Sequence, residues 1–165
     1  MKKTILSGVL LLACYFSFGQ DGNIKGKFSF AAGPALSLPV GDLKYEYKYG
    51  AGIEVAGIYG LGKSVQGFVQ TGLHIFKTTG FYSYREKDFH FPVLLGARYI
   101  SNGIFAGVGV GYARWYGDFE NGTGIAFNPQ AGYAFNKLQI TAHYTGVVVS
   151  GGVLGYAGIK VMRVF

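Results

Sequence analysis

The segment 57–64, GIYGLGKS, satisfies the phosphate-binding pattern G-x-x-x-x-G-K-[ST] at every required position. That pattern binds a nucleotide only where a strand leads into a glycine-rich loop and a helix follows, so that backbone N–H groups face the phosphate. The next segment, 65–77, instead alternates apolar and polar residues and contains Gly67 and Gly72. Because a strand fits this alternation better than a helix does, we predict a tight turn at 61–64 and no nucleotide site.

A second pattern places an imidazole and a hydroxyl two residues apart, at His143 and Thr145, and therefore on one face of a strand. A nucleophile with its general base needs such a pair, and the chemistry would be ester hydrolysis. The hydroxyl here belongs to threonine, and no acidic residue follows in the chain to orient the histidine. The preferred interpretation is polar filling of a protein interior.

Two further groups could carry chemistry. His74 and His90 fall on the inward faces of neighbouring predicted strands, where their positions are close to those of diagonal partners. Two histidines without a third ligand are only weak evidence for a metal site. We predict packed histidines, no metal and no cofactor. The charges of Glu54, Arg98 and Lys160 also point inward, and buried charges must be paired or solvated. We predict that these charges belong to a structural network inside the barrel, formed by Glu54, Arg98, Lys160, Gln70 and Gln139. An ion or proton pathway is the alternative.

The N-terminus, MKKTILSGVLLLACYFSFGQ, has the three regions of a secretory signal: two lysines, an apolar run and small residues. We predict a signal peptide at 1–19, cleaved after Gly19, and one mature domain at 20–165. Cys14, the only cysteine, lies in this signal, and lipidation there is the alternative. Removal of Lys2 and Lys3 lowers the formal charge from +7 to +5, and because the basic residues are scattered we predict no nucleic-acid binding.

The composition and periodicity of the mature region indicate strands that cross a membrane. Charged residues make up 14% of the chain, against about 25% in an average protein, and aromatic residues make up 17%. Period-two alternation recurs in eight segments of about a dozen residues, slightly more than the ~9–11 that a tilted transmembrane strand needs. These predicted strands are 27–38, 49–61, 65–77, 89–100, 103–116, 124–135, 137–149 and 153–165. Their connections alternate between short and long, as in outer-membrane barrels, although the last long-side connection, 150–152, is short.

The two faces of these segments differ consistently. One face is aliphatic and carries aromatic residues at both ends, as a bilayer with two interfaces selects. The other combines polar residues with glycines and suits the narrow interior of an eight-stranded barrel. The sequence therefore predicts an all-β fold, an eight-stranded antiparallel up-and-down transmembrane β-barrel. A soluble sandwich or lipocalin-like barrel is the alternative.

Four segments carry a family resemblance: SFGQ at the signal end, AGPALSLPVGDL, FHFPVLLGARY and the closing LGYAGIKVMRVF. With them the chain resembles the small outer-membrane β-barrel domain proteins of the OmpX-type or PorT-like family, over nearly all of the mature region. The resemblance implies that Phe165 is read by the barrel-assembly machinery, although Arg163 replaces the usual aromatic residue two positions earlier.

The resemblance also implies partners and a function. We expect an outer-membrane location, contact with outer-membrane lipid and lipopolysaccharide, periplasmic chaperones during biogenesis, and a monomer. The expected function is non-enzymatic, either structural in the envelope or through surface interaction by extracellular loops. Candidate loop residues are Tyr45, Tyr47, Tyr82, Tyr84 and Arg85, with Lys48 and Lys87 beside them. The alternative is a hydrolase similar to the barrel-type lipid A deacylases, which would use His143.

Overall fold

The structure, a computed structural model, describes residues 24–79, 87–117, 122–150 and 152–165. The predicted signal peptide and Cys14 lie outside the described residues. Each of the eight strands begins and ends within two residues of the predicted bounds, whereas the short helix α1 was not predicted. The elements are β1 Phe28–Val40, α1 Leu43–Glu46, β2 Tyr47–Gly60, β3 Val65–Thr78, β4 Lys87–Ser101, β5 Ile104–Tyr116, β6 Gly122–Phe135, β7 Leu138–Val149 and β8 Gly152–Val164.

The sheet closes on itself. Every strand pairs antiparallel with the next along the chain, and β8 pairs antiparallel with β1. Beyond the end of β8, the Phe165 N–H donates to the Phe30 carbonyl at 2.7 Å, and the Phe30 N–H donates to the Phe165 carbonyl at 3.3 Å. These bonds extend the pairing of β1 with β8. We call this pairing of the first and last strands the seam. The predicted up-and-down antiparallel barrel is confirmed.

The two rims of the barrel differ in their connections. At one rim, the turn end, the strands are joined by 61–64, 102–103 and 136–137. Asn102 and Gly103 both have positive φ, 50° and 82°, as a tight two-residue hairpin turn requires. At the other rim, the loop end, the connections are 41–46, 79–86, 117–121 and 150–151. The segment 61–64 joins β2 to β3, so the phosphate-loop pattern lies at a strand–strand turn, as predicted.

The exterior of the barrel is apolar in the middle and aromatic at both rims. Leu36, Ile53, Leu95 and Val110 are each more than half exposed. Aromatic side chains are exposed at the turn end (Phe28, Tyr59, Tyr99, Tyr133, Phe135 and Phe165) and at the loop end (Tyr49, Phe89, Phe91, Tyr112 and Tyr116). A soluble protein rarely exposes so large an apolar surface to water, whereas the hydrocarbon of a bilayer covers such a surface in a membrane barrel. Among the described residues, no helix is long and apolar enough to cross a membrane.

Large side chains fill the lumen because glycines face them. Phe76 is paired with Gly50, and a Cβ on that glycine would lie 2.6 Å from the ring. Phe105 is paired with Gly132, where a Cβ would also lie 2.6 Å from the ring. Such distances are far inside van der Waals contact, so a larger residue cannot occupy either position while the ring stays in place. The inward glycines thus allow an eight-stranded barrel to hold whole aromatic rings.

The depth of a charge in the bilayer gives a test of the two faces. Val110 lies on the exposed face midway along β5, and Ile104 lies on the same face at the turn end. We expect Val110→Arg to destabilise the barrel by about 2–4 kcal/mol and Ile104→Arg by about 0–1 kcal/mol, because the cost of a charge falls toward the interface. Urea unfolding of each variant in lipid vesicles measures the difference.

Gly109, the inward neighbour of Val110, supplies the control for the other face. A Cβ there would lie 3.2 Å from the Phe68 ring, close enough to require only a small shift of that side chain. Gly109→Ser should therefore assemble with nearly wild-type stability. If Val110→Arg is tolerated and Gly109→Ser is not, the two faces of β5 are exchanged.

Candidate functional site

The middle of the lumen holds a layer of buried polar side chains, which we call the polar belt: Glu54, Gln70, His74, Arg98, Gln139, His143 and Lys160. Glu54 is its centre. The Lys160 ammonium lies 2.8 Å from Glu54 Oε2, and the Gln70 amide donates to the same oxygen at 2.7 Å. His74 Nε2 lies 3.2 Å from Glu54 Oε1. One buried carboxylate therefore contacts a cation, an amide and an imidazole, so three of the residues assigned to the internal network are in direct contact.

Glu54 and Lys160 meet because the strand between them carries small residues. β1 separates β2 from β8, and its inward positions opposite these two residues are Gly33 and Ala35. Without a large side chain in the way, the carboxylate and the ammonium reach each other across β1. The pair joins residues 106 positions apart in the chain, so its formation requires the barrel to close.

Arg98 belongs to the other side of the belt. Its Nε donates to Gln66 Oε1 at 2.7 Å, and its Nη1 donates across the lumen to Gln139 Oε1 at 3.0 Å. The guanidinium also lies 4.4 Å from the centre of the Phe105 ring, within the range of a cation–π contact. The remaining two predicted network residues, Arg98 and Gln139, are thus bonded to each other and not to Glu54.

The histidines pack against one another and around one tyrosine. His74 and His90 are directly opposed strand partners and not diagonal ones, with ring centres 6.0 Å apart. Tyr156 lies between the imidazoles, its ring centre 5.6 Å from His74, 5.3 Å from His90 and 6.0 Å from His143. Within the described ranges, no three His, Cys, Asp or Glu side chains come together as metal ligands.

The pair His143 and Thr145 lies in the lumen, away from lipid. The two side chains are 5% and 2% exposed, and His143 Nδ1 lies 3.5 Å from Thr145 Oγ1. Asn128 Nδ2 donates to that hydroxyl oxygen at 2.8 Å. In the described part of the chain, no carboxylate lies within ion-pairing distance of His143. The geometry therefore favours a hydrogen-bonded lumen group over a nucleophile that a lipid ester could reach.

Aromatic side chains close the lumen toward the loop end. Tyr47, Phe76, Trp115 and Tyr156 are each at most 1% exposed and form what we call the aromatic plug. The Tyr47 ring stacks on Trp115 with centres 5.6 Å apart, and Trp115 lies 5.1 Å from Phe76. Leu43 of α1, fully buried, packs in the same cluster. A band of rings and one leucine thus fills this level of the barrel.

The assignment of Tyr47 to an exposed loop was wrong. Tyr47 is 1% exposed, and its hydroxyl donates to Asp88 Oδ2 at 2.6 Å. The reason is a register shift in β2 between Tyr47 and Tyr49, where a bulge breaks the period-two alternation and turns Tyr47 inward. Asp88, also fully buried, was not identified from the sequence, because it was expected to end a polar loop.

The other loop candidates differ in where they lie. Tyr45 lies in α1 and is exposed, with the Lys44 ammonium 4.9 Å from its ring centre. Tyr82, Tyr84 and Arg85 lie outside the described residues. Phe165 lies at the turn end of the seam, with the Arg163 guanidinium 5.4 Å from its ring centre.

The central ion pair makes a prediction about stability. Glu54→Gln leaves the buried Lys160 ammonium without its carboxylate, and the loss of one partner of a buried pair costs about 3–5 kcal/mol. The double variant Glu54→Gln/Lys160→Met removes both charges and should recover most of that loss. Trp115, the single tryptophan of the chain, lies in the lumen, so its fluorescence during urea unfolding measures both effects. A double variant as unstable as the single one would contradict the assigned pairing.

Comparison with models of known protein families gives no match, and comparison with curated protein sequences gives none either. Solved structures do match. Ail of Yersinia pestis, an outer-membrane protein determined in a phospholipid nanodisc, is 15% identical with a TM-score of 0.59, covering 86% of this chain and 100% of Ail. Ail in complex with the heparin analogue sucrose octasulfate gives 16% identity and a TM-score of 0.56, covering 86% of this chain and 99% of Ail. The outer-membrane protein OprG of Pseudomonas aeruginosa gives 12% identity and a TM-score of 0.57, covering 87% of this chain and 98% of OprG.

At these identities the likeness is one of fold. The closed eight-stranded sheet, the apolar exterior and the aromatic rims are the architecture of a small outer-membrane β-barrel. The predicted fold class and, at the level of this architecture, the predicted outer-membrane location are confirmed.

Proposed function

We propose that this chain is a non-enzymatic outer-membrane protein that acts through the exposed surface at its loop end, in a structural or surface-interaction role. The observation that carries the proposal is the filled lumen. The aromatic plug and the polar belt occupy successive levels of the barrel, and an eight-stranded barrel has no room for an aqueous channel beside them. Because the filled lumen leaves no space for a substrate or a channel, we assign the function of the protein to its outer surface.

The loop end carries a group of exposed lysines that supports an anionic partner. Lys77 and Lys87 are directly opposed strand partners on the outer face, and Lys48 lies at the bulge beside Tyr49, the partner of Lys77. We call Lys48, Lys77 and Lys87 the cationic surface. Two like charges in direct opposition destabilise a sheet, so an anionic group that bridges them would relieve the repulsion.

The phosphates of lipopolysaccharide are the anionic partner that we propose for the cationic surface. In an outer-membrane barrel the longer connections face outward, which puts these lysines at the level of the outer-leaflet head groups. The complex of Ail with sucrose octasulfate supports the general idea that a barrel of this fold can bind a highly anionic sugar. We further propose that the closed sheet, which leaves no strand edge for pairing, acts as a monomer. We also propose that Phe165 is read by the barrel-assembly machinery and that periplasmic chaperones bind the chain during biogenesis.

Removal of the opposed charges tests this partner. A lysine near an anionic lipid surface contributes about 1 kcal/mol, so Lys77→Gln/Lys87→Gln should weaken lipopolysaccharide binding by about 2 kcal/mol, roughly thirtyfold. Titration of the purified barrel with lipopolysaccharide in micelles measures the dissociation constant. The matched control is Lys63→Gln/Lys137→Gln, which removes two exposed lysines at the turn end and should change nothing. Equal weakening in both double variants would reject the cationic surface as the site.

A separate measurement tests the hydrolase alternative. The purified barrel should release no fatty acid from lipid A, because His143 and Thr145 are enclosed in the lumen. His143→Ala should change only stability, through the loss of packing against Tyr156. Release of fatty acid by the wild type that His143→Ala abolishes would overturn the non-enzymatic assignment.

A further inference from the structure

A small cavity lies in the lumen between the polar belt and an apolar cluster at the turn end. The cavity has room for roughly one water-sized particle, since the centre of such a particle can occupy a volume of about 10 Å³. Apolar side chains form one wall, and polar side chains form the other. The polar wall consists of Gln70, Arg98, Gln130, Gln139, Thr141 and Lys160. It contains two cations, hydrogen-bond donors on every side chain and no carboxylate.

Arg98 lacks a carboxylate partner within the described residues. Both of its hydrogen bonds go to neutral amide oxygens, those of Gln66 and Gln139. The one carboxylate of the belt, Glu54, is bonded to Lys160 and Gln70. The other buried acid, Asp88, lies ten residues away on the same strand, which corresponds to about 33 Å of extended chain. The arginine and lysine side chains of the belt therefore outnumber its carboxylates by one.

An unbalanced charge inside a membrane-spanning barrel is costly. We propose that the cavity binds one small monovalent anion, with chloride as the ion in the cell envelope, and that this ion is the missing counter-charge of Arg98. Arg98 and Lys160 supply the positive field, and the Thr141 hydroxyl and the glutamine amides supply further donors. A cavity with room for about one water-sized particle can hold at most one monatomic ion and excludes sulfate and phosphate.

Crystals grown with bromide in place of chloride test the position of the ion. An anomalous peak in the cavity beside Arg98 is the expected result. A site occupied by density without anomalous signal would be water and would overturn the proposal, and so would an empty cavity.

Unfolding in solution tests the linkage to stability. The purified wild-type barrel is unfolded by urea in sodium bromide and in sodium methanesulfonate of equal ionic strength, since methanesulfonate is too large for the cavity. At a bromide concentration ten times the dissociation constant, the folding equilibrium constant should rise about elevenfold. No difference between the two salts would count against the ion.

Two variants assign the effect to the cavity. Gln139→Glu places a carboxylate where Arg98 now donates to an amide, so this near-isosteric variant should be stable in methanesulfonate and should lose the bromide effect. Arg114→Gln removes an exposed arginine on the outer wall and should keep it. The same bromide effect in all three proteins would show that the ion acts elsewhere. Should Gln139→Glu fail to fold, Arg98→Gln removes the excess charge and must also abolish the bromide effect.

Discussion

In a bilayer every backbone N–H and C=O must find a partner within the protein, because the hydrocarbon core offers none. The pairing of β8 with β1 meets this constraint, since it removes the two edges that an open sheet of eight strands would leave. The rest of the molecule depends on that closure. Closure of eight strands fixes a narrow interior, and a narrow interior must be filled by side chains. The exterior must in turn be apolar, as the exposed residues of the strands are.

The lumen is filled in two ways. Toward both ends of the barrel, rings lie over glycines, as Phe76 does over Gly50 and Phe105 over Gly132. In the middle, charges reach past small residues of the intervening strand, as Glu54 and Lys160 do across β1. In both cases a residue without bulk on one strand makes room for a long or wide side chain on another. The high glycine content of the chain thus follows from the need to pack large groups inside a small barrel.

The sequence predicted the strands and their two faces because period two is a property of each strand by itself. It placed Glu54, Arg98 and Lys160 inside the barrel for the same reason. It could not predict that Glu54 pairs with Lys160 while Arg98 bonds Gln139, because these contacts depend on the register of strands far apart in the chain. Tyr47 was misplaced because a bulge shifts the alternation in β2. Asp88 was missed because the bounds of β4 are set by pairing with β3 and not by residue type.

The aromatic plug ties β2, β3, β5 and β8 together beneath the loop end. Among the described residues, its contacts are made by side chains of these strands, together with Leu43 of α1. Because β3 is not a neighbour of β5 or β8 in the sheet, these ring contacts stabilise the barrel across its interior, in addition to the backbone pairing around its wall.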